Sequence, residues 1–264
     1  MRPLKEFSLS ARRRIGFVLC DIDDTLTLGG RLPAIAYTAL ERLRDAGFRV
    51  VPVSGRPAGW CDQIARMWPV DGVVGENGAF YFHYDDDNRS MVRRYWRSDG
   101  ERGVDRRRLD ALAAEIIAAV PGAAVAADQA YRECDLAIDC REDVAPLPAA
   151  DIERIVALFE AAGARAKVSS IHVNGWYGDY DKLSMTRKLF DEVLAVDLDA
   201  RRDEVVFVGD SPNDAPMFGY FSHGVGVANV ADFAGRLDAE PTWVTDARGG
   251  EGFAELTAAL LEGR

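Results

Sequence analysis

The sequence predicts an α/β fold: a three-layer α/β/α core with a mainly parallel sheet, and a second α/β unit inserted between its two halves. Three observations predict it. Residues 15–20 are an unbroken apolar run, as a parallel strand covered on both faces requires. A helical pattern and a second apolar run follow at βαβ spacing. The last third of the chain repeats that order after a middle stretch of different pattern.

The first helix is expected over 33–46, where Ile35, Leu40 and Leu43 keep helical spacing and Gly47 supplies a stop. The second strand runs over 48–53 and ends at Ser54-Gly55-Arg56-Pro57. Residues 73–75 and 79–83 flank Glu76-Asn77-Gly78, a hairpin signal. The aspartate-rich stretch 84–89 reads as a connection. The middle then alternates strand (92–96), helix (105–120), strand (135–140), helix (149–162) and strand (167–173), which suggests the inserted unit. In the last third, 183–196 is helical, 205–208 is a strand ended by Gly209-Asp210, and short strands follow at 224–228 and 243–245. A closing helix is expected over 252–261. The division that follows is a core of 1–84 and 177–264 with an insert of 85–176.

The formal net charge of −11 repels phosphates and nucleic acids on average. An anionic substrate therefore requires local cations, and nucleic acid is not an expected partner. The four cysteines (Cys20, Cys61, Cys134, Cys140) have no metal-ligand spacing and read as reduced thiols of a cytoplasmic protein. Residues 1–14 are basic but lack the apolar stretch of a signal peptide. The most apolar region, 111–127, contains Glu115 and a Pro121-Gly122 break, so it reads as a helix ending in a turn and not as a membrane span.

Open α/β sheets bind ligands beyond the C-terminal ends of their strands. Asp21, Ser54 and Asp210 all fall at such positions. Asp21 and Asp23 stand two apart at the end of an extended segment, so their side chains can share one side. Two carboxylates in one cleft repel unless a cation lies between them, and Mg²⁺ prefers hard oxygen ligands of this kind. An acidic turn is the alternative. Gly209-Asp210-Ser211-Pro212-Asn213-Asp214 adds two carboxylates after a buried strand, or else caps a helix. Ser54 suits a phosphate oxygen, or a plain turn. Lys182 opens a helix, where an ordinary solvated lysine is the alternative.

In this order the four pieces resemble the haloacid dehalogenase superfamily over nearly the whole chain. Asp21, Asp23 and Thr25 match its first motif, Ser54 its second, Lys182 its third, and Asp210 with Asp214 its fourth. The Ser-Gly-Arg-Pro turn, the Glu-Asn-Gly-Ala segment at 76–79 and the late insert resemble subfamily IIB, which includes Cof-type phosphatases, sucrose-phosphatase and mannosyl-3-phosphoglycerate phosphatase. The resemblance implies a Rossmann-like core with a C2B-type α/β cap. It implies a Mg²⁺-dependent phosphatase acting on a small phosphorylated metabolite, a sugar or polyol phosphate. Asp21 is then the nucleophile that becomes an aspartyl-phosphate, and Asp23 the acid and base. Asp21, the carbonyl of Asp23, Asp210 and Asp214 surround the metal. Ser54, Lys182 and Asn213 bind the phosphoryl group. Asp23 also argues against dehalogenation, because true dehalogenases of the superfamily lack an aspartate two residues after the nucleophile. A sugar phosphomutase of the phosphomannomutase kind is the alternative enzyme. One departure is the segment before Lys182, which lacks the glycine-lysine-glycine context.

For the insert, Arg132, His172, Asn174 and Trp176 are candidate substrate contacts. The alternative for the aromatic segment is packing around a hinge made by Gly175 and Gly178. A soluble monomer or homodimer is expected, with no membrane partner.

Overall fold

A computed structural model describes residues 1–264. The first part of the chain runs β1 (Arg2–Pro3), α1 (Leu9–Arg12), β2 (Phe17–Cys20), α2 (Ala34–Asp45), β3 (Arg49–Pro52), α3 (Ala58–Met67), β4 (Val73–Gly75), β5 (Phe80–Asp85) and β6 (Ser90–Tyr95). The middle follows as α4 (Asp99–Ala119), β7 (Ala124–Val125), β8 (Asp135–Asp139), α5 (Ala149–Ala161), β9 (Arg165–Val168) and β10 (His172–Trp176). The chain ends with α6 (Lys182–Glu192), α7 (Leu198–Arg201), β11 (Val205–Gly209), α8 (Ala215–Tyr220), β12 (His223–Gly226), β13 (Trp243–Val244) and α9 (Gly249–Leu261).

The main sheet has the order β1-β13-β12-β11-β2-β3, and every pairing in it is parallel. Strands β2 and β11 lie inside it, and their residues are buried throughout, because helices cover both faces. Two apolar clusters occupy the two sides. One joins Val18, Cys20, Leu40 and Leu43 to Phe253 and Leu256, and the other joins Leu19 and Val51 to Met185, Leu189 and Phe207. The parallel core and its covered strands thus match the expected class.

A four-stranded antiparallel sheet, β7-β8-β10-β9, carries α4 and α5 around a third cluster centred on Leu109, Ile116, Ile155 and Phe159. A three-stranded antiparallel sheet, β4-β5-β6, lies between the two larger ones in sequence, and Val53 and Val74 bridge it to the end of β3. The strand expected at 92–96 therefore extends the hairpin after Gly78 and does not join the four-stranded sheet. Helix α3 has no counterpart in the sequence reading. Helix α4 begins earlier than expected because Ser98 and Glu101 form a reciprocal capping box at its start. The helix expected over 183–196 ends at Glu192, and beyond it Asp197 caps a separate short helix, α7.

No helix is long and apolar enough to cross a membrane.

Candidate active site

Register assembles the site. Cys20 lies opposite both Pro52 and Val208, so β2, β3 and β11 end side by side. Their next residues emerge from one edge of the sheet, with Asp21 bonded through its N–H to the Val208 carbonyl (2.9 Å). Asp21, Ser54 and Asp210 are all buried there. Helix α6 arrives from the other half of the chain and adds Lys182 at its first turn. Asp181 fixes that start, because its carboxylate accepts from the Ser184 N–H (2.8 Å) while Ser184 Oγ accepts from the Asp181 N–H.

Lys182 Nζ donates to Asp21 Oδ1 (2.8 Å) and to Asp214 Oδ1 (2.7 Å). The other oxygen of Asp214 accepts the N–H groups of Asp210 and Ser211. Thr25 Oγ1 donates to Asp210 Oδ1 (3.1 Å). Asp210 Oδ2 is buried and bonded to no protein group. Asp21, Asp210 and Asp214 thus gather three carboxylates, two of them on the Lys182 ammonium, with an oxygen of each within 4.8 Å of the others.

Burial, opposed by Lys182 and reinforced by Asp214 and Asp23, raises the Asp21 carboxyl to about 7. Asp210 is pushed well above the carboxylate range by burial and by Asp214 and Asp21. Lys182 is raised: burial works against its charge, but Asp21 and Asp214 outweigh it. A buried cluster with surplus negative charge and one orphaned oxygen has the donor set of a hard divalent cation. The residues therefore fit the metal that the resemblance implies.

Asp23 is not part of that cluster. Its Oδ1 accepts Nε and Nη2 of Arg56 (2.9 and 2.7 Å), which turns the carboxylate toward the insert. Arg56 also donates to Glu142 Oε1 (2.8 Å) and approaches Asp128 Oδ2 (3.4 Å). The sequence reading missed this arginine as a site residue, although it stands two positions after Ser54. Nothing in the sequence marked Glu142.

The four insert candidates divide. Arg132, His172 and Asn174 line a narrow cleft with Asp21, Asp23, Ser211 and Asn213. Within it Arg132 is occupied by Asp128, Asp135 and the Gly55 carbonyl, and Asn174 Nδ2 donates to Asp135 (2.8 Å). His172 Nε2 lies 2.9 Å from Glu142, and that imidazole with Arg56 lowers the Glu142 carboxyl to about 2. Trp176 stacks on Tyr180, with ring centroids 5.8 Å apart, and both belong to the larger apolar cluster. Gly175 is no hinge. It lies mid-strand between Leu136 and Ala166, where a β-carbon would overlap the Phe159 ring.

Insert and core also meet at Glu76, which is fully buried. Its carboxylate accepts four backbone N–H groups, from Ala58, Glu133, Cys134 and Asp135. Two cavities open beside the carboxylates. One of about 450 Å³ is bounded by Asp23, Asp24 and Asp210 on the core side and by Arg141, Glu142 and Ser170 on the insert side. Another of about 400 Å³ is bounded by Asn77, Trp176, Lys182 and Asn213.

The profile of the haloacid dehalogenase-like hydrolases matches residues 18–99 and 179–234, leaving most of the insert outside the match. The chain belongs to that family. A phosphoglycolate phosphatase of Pyrobaculum aerophilum is 40% identical over 65 residues, which span 24% of this chain and 28% of that protein. Among solved structures, Thermoplasma acidophilum 0175 superposes with a TM-score of 0.69 at 19% identity, covering 95% of this chain and 99% of that one. The sucrose-phosphatase of Synechocystis, solved with sucrose and phosphate, gives 0.61 at 16% identity, covering 94% and 98%. At these identities the likeness is one of fold. It extends over the insert as well as the core.

Proposed function

We propose that this hydrolase is a Mg²⁺-dependent phosphatase that releases phosphate from a small sugar or polyol phosphate through an aspartyl-phosphate on Asp21. The observation that carries the reading is the buried group of Asp21, Asp210, Asp214 and Lys182 at the ends of β2, β11 and α6. A phosphatase of Pyrobaculum and the sucrose-phosphatase fold support the reaction class.

In this reading Asp21, Asp210 and the Asp23 carbonyl would hold Mg²⁺, with Asp214 close by. When bound, Mg²⁺ neutralises charge between the nucleophile and the anionic phosphoryl group. Asp21 attacks phosphorus, and the bond to the leaving oxygen breaks. Asp23 gives its proton to that oxygen, then takes one from the water that attacks the aspartyl-phosphate. Each turnover thus consumes one ester and one water, and returns one alcohol, one phosphate, the free Asp21 carboxylate and the reprotonated Asp23. Ser54, Lys182 and Asn213 bind phosphoryl oxygens. Lys182, held on Asp21 and Asp214, stands where its ammonium can also donate to a phosphoryl oxygen.

The leaving group occupies the 450 Å³ cavity, because Asp23 opens onto it. Residues 85–176 act as the cap that covers it and excludes water, with 1–84 and 177–264 as the catalytic core. Of the insert candidates, His172 acts through Glu142, while Arg132 and Asn174 hold the cap floor. The four free cysteines suit a reducing cytoplasm.

A panel of phosphorylated sugars and polyols with Mg²⁺, following free phosphate, tests the reading. Release from at least one ester, abolished by EDTA and by Asp21→Asn, is expected. Undiminished release by Asp21→Asn would remove the mechanism, and sugar isomerisation without phosphate release would replace hydrolysis with mutase chemistry.

A further inference from the structure

Asn77 lies among the residues assigned to the phosphoryl group, yet neither the motifs nor the acidic cluster includes it. It is buried, 3% exposed, and its amide nitrogen Nδ2 has no hydrogen-bond partner. A buried amide donor without a partner is costly, which makes it an unusual feature to retain by chance.

The orientation of that amide follows from its neighbours. Ser211 Oγ donates to Asn213 Oδ1 (2.9 Å), so the other end of Asn213, Nδ2, is the end that faces Asn77. It approaches Asn77 Oδ1 at 3.5 Å. The oxygen of Asn77 is thereby taken, and Nδ2 is the free end. That nitrogen lies 3.2 Å from where a β-carbon on Gly55 would stand, beside the turn that begins at Ser54.

The backbone holds this placement at a conformational cost. Glu76 and Asn77 both have positive φ, 42° and 55°. Asn tolerates that region better than most residues, but Glu does not. The turn is fixed on three sides. Asn77 N–H donates to the Ser54 carbonyl (3.0 Å), the Glu76 carboxylate is held by its four N–H donors, and Gly78 packs on the Asp181 carbonyl at the start of α6. Asn77 therefore stands between the Ser54 turn, the Lys182 end of α6 and Asn213, and borders the 400 Å³ cavity with the last two. Backbone strain that is held this firmly gathers at functional positions.

We infer that Asn77 is a further phosphoryl-binding residue, whose amide N–H donates to a non-bridging phosphoryl oxygen and completes the ring of donors begun by Ser54, Lys182 and Asn213. The assignment rests on the phosphatase reading. It explains why an unpaired donor is kept beside Gly55: the ligand is its partner. A tetrahedral oxyanion such as free phosphate should be bound by the same group.

The test uses the full chain with Mg²⁺ and inorganic phosphate as the probe, with binding followed by calorimetry. Asn77→Gly keeps the positive φ and deletes only the amide. Asn77→Asp keeps the shape but replaces the donor with a charge that repels the ligand. Asn77→Gly should weaken phosphate binding about tenfold or more, and Asn77→Asp further, with both melting within a few degrees of the parent chain. On p-nitrophenyl phosphate, kcat/KM should fall by about 10²-fold in Asn77→Gly. If either variant unfolds, the other carries the measurement. A parent chain that releases phosphate, paired with an Asn77→Gly that binds phosphate as tightly as it does, overturns the Asn77 assignment alone. A parent chain that neither binds phosphate nor releases it from any ester overturns the phosphatase reading and this inference with it.

Discussion

Asp210→Asn separates a metal site from a merely structural acidic cluster. The substitution removes one of three carboxylates that approach within 4.8 Å of one another, while Lys182 bonds only to the other two. At that spacing each like-charge pair costs about 3 kcal/mol at an effective dielectric of about 20. Part of this is already relieved, since burial with Asp214 and Asp21 beside it raises the Asp210 carboxyl. A gain of about 2 kcal/mol is therefore expected at pH 8 without metal. The Thr25 hydroxyl can still donate to the retained amide oxygen. For a chain of this size the gain is a melting temperature higher by about 4–8 °C. Mg²⁺ at about a hundred times its dissociation constant should stabilise the parent chain by about 2.7 kcal/mol and the variant hardly at all. Thermal melts in EDTA and in Mg²⁺ should thus rank the two proteins in opposite orders. An Asp210→Asn protein that melts lower in EDTA, and gains as much from Mg²⁺ as the parent, would refute the reasoning.

Three further outcomes follow from the same geometry. The Asp21 carboxyl is raised from 3.8 to about 7 by burial, so the metal-free fold holds a proton there that the unfolded chain has lost. Its stability in EDTA should fall as pH rises through about 7, while Mg²⁺ affinity rises over the same interval with proton release, as calorimetry in buffers of different ionisation enthalpy would show. Lys182→Met leaves Asp21 and Asp214 without their cation and should cost about 3–5 kcal/mol by denaturant titration, with Mg²⁺ restoring part of it. Gly78→Ala places a β-carbon on the Asp181 carbonyl at a φ of 105°, and should both destabilise the chain by more than about 1 kcal/mol and lower phosphate affinity, because the start of α6 must shift.

How far the sequence carried can be read from particular residues. The parallel core was legible because residues 17–20 and 205–209 are apolar without interruption, and each is followed at once by aspartate. The acidic cluster followed from that, since strand ends in register bring Asp21 and Asp210 together whatever lies between them. Helix α3 was not legible. Its Ala-Gly-Trp-Cys start offers no capping side chain, and Pro57 supplies only the turn before it. The role of 90–95 was hidden because the choice of partner strand depends on tertiary pairing, not on local pattern. In the insert, the types of Arg132, His172 and Asn174 drew notice, but the partner of Asn174 was set by register across β8 and β10 and that of His172 by the loop that carries Glu142. Arg56 was visible as a residue and invisible as a bridge, since both of its insert partners lie more than 70 positions away.

The account turns on a covalent bond between phosphorus and Asp21. Rapid acid quench during turnover of the best ester with Mg²⁺, reduction of any acyl phosphate to its alcohol, and peptide mass spectrometry test that bond directly. The reduced side chain should appear at position 21 and nowhere else, and should be absent from Asp21→Asn and from enzyme quenched without substrate. Steady phosphate release with no modification at position 21, at quench times short enough to catch the intermediate, would contradict it.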